Sequence, residues 1–249
     1  MRLHDQTNQA PQTAKPGAGS LDGAVSHDEI TAALGDNAPT PVQTLLAHAR
    51  RAVYAQQDTL YHQGMPGDTV YFITGGLLKL VAYLPNGRAR IVRLHRTGSV
   101  LGLGGLRGQH NAHTAVAVTR TTALRLSLGA LQRLRSEDPT TYLTLVERWY
   151  DYLQEADRWI TQFSTGPIRG RVARLLAFLS AFEPDAQDGH VQLLTCEEMG
   201  SILGVTSESV SRILADFKRR HILDREAGET GEIYHTDVER LRSIAEEVD

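Results

Sequence analysis

The sequence predicts an α+β chain with three parts: an all-β module, one long helix and a C-terminal winged helix-turn-helix. Three observations predict it. Ten of the 22 glycines fall between Gly64 and Gly108, punctuating short β runs as the turns of an all-β module would. From Tyr142 the apolar period changes to alternating steps of four and three, the mark of a long helix with a seam. Near the end, two short amphipathic helices meet at Gly204, each with its own capping residue.

Residues 1–40 are rich in Ala, Gly, Pro, Gln, Thr and Asp, and read as a disordered or partly ordered extension with a short helix near His27 to Leu34. The β module is expected over 41–136. Its clearest strands are Val70 to Ile73, Leu77 to Leu84, Ile91 to Leu94 and Thr114 to Val118, with a hairpin at Pro85-Asn86-Gly87. The long helix belongs to 137–165. Tyr142, Val146, Trp149, Leu153, Ala156, Ile160 and Phe163 form a heptad seam, and Leu145, Tyr152 and Trp159 form a second stripe. One stripe can pack on the β module while the other meets the same helix of a second copy. A helix buried within one chain also satisfies the spacing, but two stripes favour a homodimer. Gly166-Pro167 breaks the helix and suggests a hinge.

The C-terminal part, 166–249, carries the chemistry. Thr195-Cys196-Glu197-Glu198 has the capping-box form, and Met199, Ile202 and Leu203 give the helix after it an apolar stripe. Gly204 ends that helix and Thr206 caps the next. There Val210, Ile213, Leu214 and Phe217 form one face, while Ser207, Glu208, Ser211 and Arg212 point elsewhere. Ile222-Leu223, a Gly228–Gly231 turn and Ile233-Tyr234 read as a wing, and Thr236 as the cap of a last helix. The second helix of such a pair enters the DNA major groove. An arginine can grip guanine O6 and N7 there, and a carboxylate can accept from cytosine N4. Glu208 and Arg212 equally make a plain surface pair worth about 0.3–0.5 kcal/mol, but the helix-turn-helix context favours base reading. The expected DNA-binding residues are Thr195, Thr206, Ser207, Glu208, Ser209, Ser211, Arg212 and Lys218.

Composition limits the alternatives. A net charge of −3 does not mark a nucleic-acid binder, so charge has to be read locally. Arg212, Lys218, Arg219, Arg220 and Arg225 form one basic group, and Arg169, Arg171 and Arg174 another; each is either phosphate-facing or solvated surface. No apolar run approaches the ~18 residues of a membrane span, and the first twenty residues lack a signal-peptide core, so the expected location is cytoplasmic, with no membrane partner. A single cysteine, Cys196, excludes an intrachain disulfide and a cysteine-ligated iron–sulfur cluster. Its place in the first turn of a helix allows a redox role near DNA, or simply a tolerated small thiol.

From about Ala47 to the C-terminus, the arrangement resembles the Crp/Fnr superfamily of bacterial transcription regulators. The resemblance rests on Leu60-Tyr61-His62-Gln63-Gly64, Asp68 to Ile73, Gly75-Gly76 and Gly98-Ser99-Val100-Leu101-Gly102, and on Thr195, Glu198, Gly204, Glu208, Ser211 and Arg212. It implies that the β module is a cyclic-nucleotide-binding-like roll, a double-stranded β-helix, acting as a sensor. It also implies a non-enzymatic regulator with partners double-stranded DNA, a second copy of the chain and RNA polymerase. Glu208-x-x-Ser211-Arg212 is similar to the recognition helix of the Fnr-type members, which implies a palindrome of TTGAT-like half-sites.

The same comparison places an effector pocket at Gly102, Leu103, His113 and Thr114. Nucleotide-binding members carry Gly-Glu and Arg-Ser/Thr-Ala there, whereas this chain has Gly102-Leu103 and His113-Thr114-Ala115. Two charged contacts, each worth about 1.5–3 kcal/mol, are missing, which argues against cyclic AMP. Haem stays open among ten histidines, although the ligand set of the carbon-monoxide-sensing members is absent from Leu101 to Gly104. His110-Asn111-Ala112-His113 lacks the His-x-His and Glu of cupin metal sites, so no metal ligands are assigned. The effector is unknown from sequence. The alternatives are a constitutive DNA binder without a small-molecule effector, and a haem- or metal-binding roll whose helix-turn-helix serves protein interaction.

Overall fold

The computed structural model describes residues 25–34, 40–181, 189–225 and 233–246, with the side chains of 41, 141 and 144–155 outside that description. The first helix, α1 (His27–Leu34), starts at a reciprocal cap. The Glu29 amide donates to Ser26 Oγ at 3.2 Å, and the Ser26 amide donates to Glu29 Oε2 at 3.1 Å. Ile30, Ala33 and Leu34 are buried, and Glu29 pairs with Arg51 at 2.5 Å. The end of the expected extension is therefore packed structure; residues 1–24 lie outside the described residues.

After α2 (Thr40–Ala47) come eight strands: β1 (Arg50–Tyr54), β2 (Thr59–Tyr61), β3 (Thr69–Gly75), β4 (Leu78–Tyr83), β5 (Ala89–His95), β6 (Val100–Leu101), β7 (Thr114–Ala117) and β8 (Thr121–Ser127). They make two four-stranded antiparallel sheets, ordered β1-β8-β3-β6 and β2-β7-β4-β5. Tyr54, Tyr71, Ile73, Leu60, Leu78, Ala115 and Ala123 fill the space between them. Val70 and Phe72 point the other way, into a cluster with Ile30, Leu34, Leu46 and Leu131 of α1, α2 and α3 (Leu128–Glu137). This double cover explains why Val70 to Ile73 is an unbroken apolar run instead of an alternating one. The hairpin sits where Pro85-Asn86-Gly87 predicts, closed by bonds between Leu84 and Arg88 (2.9 Å) and Gly87 and Leu84 (2.9 Å).

The long helix is α4 (Pro139–Ser164), with proline in its first turn, where the missing N–H costs nothing. At its end Trp159 and Phe163 are both buried, edge-on to each other at 4.6 Å and to Phe178 of α5 (Ile168–Ser180) at 5.4 and 5.5 Å. The heptad pattern assigns these two residues to different stripes. They lie four apart and share one face, which covers the C-terminal domain.

That domain continues with β9 (His190–Gln192), α6 (Cys196–Leu203), α7 (Ser207–Arg219), β10 (Leu223–Arg225), β11 (Ile233–Thr236) and α8 (Val238–Glu246). The three strands form an antiparallel sheet in the order β10-β11-β9. The predicted wing turn, Gly228–Gly231, lies outside the described residues. One expectation is corrected: Thr236 does not cap the last helix. It ends β11, buried, with its hydroxyl donating to the Gly189 carbonyl at 2.8 Å. Asp237 is the cap, its Oδ1 accepting from the Arg240 amide at 3.0 Å.

Candidate DNA interface

Helix α6 begins at the predicted capping box. Thr195 Oγ1 accepts from the Glu198 amide at 3.1 Å, and the Thr195 amide donates to Glu198 Oε2 at 2.9 Å. Gly204 closes the helix in the left-handed conformation, φ 67°, a backbone that a side chain would strain. Thr206 then caps α7, accepting from the Ser209 amide at 3.3 Å, and its hydroxyl meets that of Ser209 at 3.1 Å. Thr195, Thr206 and Ser209 thus spend hydroxyl bonds on the helix starts.

The rod separates its two chemistries as the sequence predicts. Val210, Leu214 and Phe217 are buried, whereas Glu208, Ser211 and Arg212 are exposed and Ser207 is partly so. The Glu208 carboxyl lies below its ordinary range because its own amide and the Thr206 hydroxyl donate to it, with the Arg212 charge assisting. It therefore stays an anion, able only to accept. Lys218 reaches sideways to the wing: its Nζ donates to the Tyr234 hydroxyl at 2.9 Å and lies 4.4 Å from the ring centre.

The second basic group has an internal role. Arg169 pairs with Asp216 of α7 at 2.5 Å and stacks over Phe217 at 4.9 Å. Arg171 donates to the Leu203 carbonyl at 2.7 Å. Arg174 donates to three carbonyls, those of Gln162 (2.7 Å), Thr165 (2.6 Å) and Ala245 (2.7 Å). These three arginines act as braces inside the domain. Asp216 also takes Arg219 at 2.8 Å and Arg220 at 3.1 Å, and the bond from Arg169 foremost holds its carboxyl below the usual range. Sequence reasoning missed Asp216, although an acid followed by arginines at i+3 and i+4 was visible.

Each of the four expected pocket residues has a local role in the roll. Gly102 has φ 86°, and a Cβ there would collide with the Thr69 carbonyl, so the position serves backbone packing. Leu103, opening a short 3₁₀ turn, packs with the cluster outside the first sheet. Thr114 is buried and its hydroxyl accepts from the Gln63 amide at 3.0 Å. His113 is half-buried; burial, then the Arg93 charge, lowers its pKa below the ordinary histidine value. Cys196 is half-buried in the first turn of α6. Among the described residues, no cluster of three or more His, Cys, Asp or Glu could hold a metal ion, and no helix is long and apolar enough to cross a membrane.

On the long helix, Tyr142 packs with the outer cluster and Phe163 is buried within its own chain, while Ile160 is 60% exposed and Ala156 partly so. Val146, Trp149 and Leu153 fall where side chains are not described.

An antiparallel roll, a long helix and a capped helix-turn-helix with a polar exposed face define a DNA-binding regulator with an attached β roll. Residues 51–138 match the cyclic nucleotide-binding domain family, and residues 170–244 match the Crp-like helix-turn-helix domain family. The chain is 27% identical over 172 residues to the transcriptional regulator LdrP of Thermus thermophilus, spanning 68% of this chain and 85% of that protein. It is 26% identical over 200 residues to the cAMP-activated global transcriptional regulator CRP of Salmonella typhimurium, spanning 78% and 94%. A crystal structure of a CRP-family transcriptional regulator from Thermus thermophilus superposes with TM-score 0.66 at 25% identity, covering 79% of this chain and 97% of the other. The chain belongs to the Crp/Fnr superfamily of bacterial transcription regulators.

Proposed function

We propose that this regulator binds a palindrome of TTGAT-like half-sites as a homodimer, in the cytoplasm, and acts on transcription together with RNA polymerase. The observation that carries the reading is the exposed Glu208-x-x-Ser211-Arg212 face on a helix anchored by Val210, Leu214 and Phe217. Arg212 grips the guanine of the half-site, Glu208 accepts from the paired cytosine, and Ser211 lies at a neighbouring thymine. Two such helices one DNA turn apart, about 34 Å, enter successive major grooves. The exposed Ile160 supports the α4 seam as the dimer contact. No catalytic step is assigned.

Cyclic AMP is not the effector in this reading. Leu103 faces away from the roll interior, the Thr114 hydroxyl is already engaged, and His113 is no substitute for a permanent cation. A haem or other effector on the roll, and DNA binding without any effector, are the two forms that control can then take.

The test is titration of a TTGAT…ATCAA duplex and a scrambled duplex at equal salt. Preference for the first is expected, and Arg212→Ala should erase about 1–3 kcal/mol of discrimination at the G·C pair. Equal affinity for both duplexes rejects the half-site, and micromolar binding of cyclic AMP rejects the effector reading.

A further inference from the structure

Helix α6 packs against the outer face of the roll as well as against α7. Strand β5 is the edge of its sheet, and its outward backbone groups meet α6. The Ile91 amide donates to Ser201 Oγ at 2.9 Å, and that hydroxyl donates to the Ala89 carbonyl at 3.4 Å. One turn earlier Lys79 of β4 pairs with Glu198 Oε1 at 2.6 Å, their side chains being 12% and 16% exposed. The other oxygen of the same carboxylate holds the Thr195 amide and hydroxyl at 2.9 and 3.0 Å. A single carboxylate thus caps the first helix of the DNA-binding unit and ties it to the sensor. Around this pair Leu77, Val81, Ile91, Leu94 and Val118 of the roll share one buried core with Met199, Ile202 and Leu203. Glu208, Ser211 and Arg212 remain exposed in this arrangement, as do Thr195 and Glu197 at the start of α6.

We propose that Lys79 and Ser201 are positioning residues that lock the helix-turn-helix onto the roll in its DNA-reading orientation, so that the outer face of the sheet is a second route, beside the long helix, from sensor to DNA. An apolar interface alone tolerates sliding, whereas a nearly dry ion pair and a hydroxyl bridging two backbone groups each accept one register. The locked state leaves Glu208, Ser211 and Arg212 open. Release of the contact frees the helix-turn-helix to shift against the roll and depopulates the orientation that two half-sites require. This inference rests on the proposed reading of DNA by α7.

The test uses the full chain with Lys79→Met, Glu198→Gln (which keeps the helix cap), the double variant, Lys79→Arg and, should Lys79→Met fold poorly, Ser201→Ala. Two quantities are read: hydrogen exchange at the Ile91 amide without DNA, and affinity for the TTGAT duplex. We expect Lys79→Met to speed exchange and weaken DNA binding, each roughly tenfold, with Lys79→Arg restoring both and the double variant no worse than either single one. Unchanged exchange overturns the proposal. So does faster exchange with unchanged affinity, and so does tighter binding, which would make the contact inhibitory. If the unmodified chain does not prefer the TTGAT duplex, the half-site reading fails separately, and the affinity arm is read on random-sequence duplex.

Discussion

His95 shows what a single buried side chain does to the whole balance. It ends β5 opposite Leu78, on the inner face of the roll, and is only 4% exposed. Burial, followed by the charges of Arg93 and His113, lowers its pKa from the ordinary 6.5 to about 3. The folded state therefore binds fewer protons than the unfolded chain between these values. Its contribution is fully present above pH 6.5 and is lost as pH falls toward 3, at up to about 1.4 kcal/mol per pH unit. Melting temperatures at pH 7.5 and 5.5 check this. The unmodified chain should lose more stability across that interval than His95→Gln, and equal losses reject the assignment. Glu198 acts in the same sense lower down. Burial raises its pKa, but the bonds from Lys79 and the Thr195 amide outweigh it, so its share is lost as pH falls below the ordinary 4.5. At this scale the exposure of Glu208, Ser211 and Arg212 was legible, because it follows from helical spacing. The roles of His95 and Asp216 were not, because their partners are remote in sequence or were taken for surface charge.

At the scale of elements, most bonds that matter join ends. Arg174 of α5 satisfies carbonyls at the end of α4 and at the end of α8, groups that have no partner inside their own helices. The Thr165 hydroxyl adds a short bond to the Thr161 carbonyl in the same segment. The hinge that Gly166-Pro167 announces is thus braced, and the brace sits on the side that carries α7. Arg174→Met should leave these carbonyls without their charged donor, costing about 1–3 kcal/mol. Hydrogen exchange should quicken at 162–168 and along α8 while the amides of α7 stay protected. Uniform loss of protection would mean a global effect instead of a local brace. The hairpin, both caps around Gly204 and the short helix near His27 were readable because turn and cap chemistry is local. Thr236 was misread for the same reason in reverse: threonine and aspartate are both good caps, and only the Gly189 contact decides between them.

For the whole molecule, three apolar clusters divide the work: one between the sheets, one under α1–α3, and one joining the C-terminal domain to the second sheet. None accounts for Ile160, which stands 60% exposed on the long helix. Ile160→Glu should convert the proposed dimer to a monomer by light scattering without moving the melting temperature of the monomeric fold. Loss of high-affinity DNA binding should follow, since one recognition helix spans one half-site. A dimer that survives the substitution places the seam elsewhere.

The sequence by itself determined the order of parts, the capped helix pair and the chemistry on its reading face, because these depend on periodicity and neighbours a few residues apart. Residue identity at Leu103 and His113 also raises the expectation, through the family resemblance, that the usual charged nucleotide contacts are missing. Only the tertiary structure decided that Arg169, Arg171 and Arg174 are braces, that Phe163 turns inward, and that α6 is docked on the roll through Lys79, Ile91 and Ser201. Those facts join residues between 9 and 119 positions apart. Charge and polarity show that a side chain needs a partner, and the packing of distant elements selects which partner it finds.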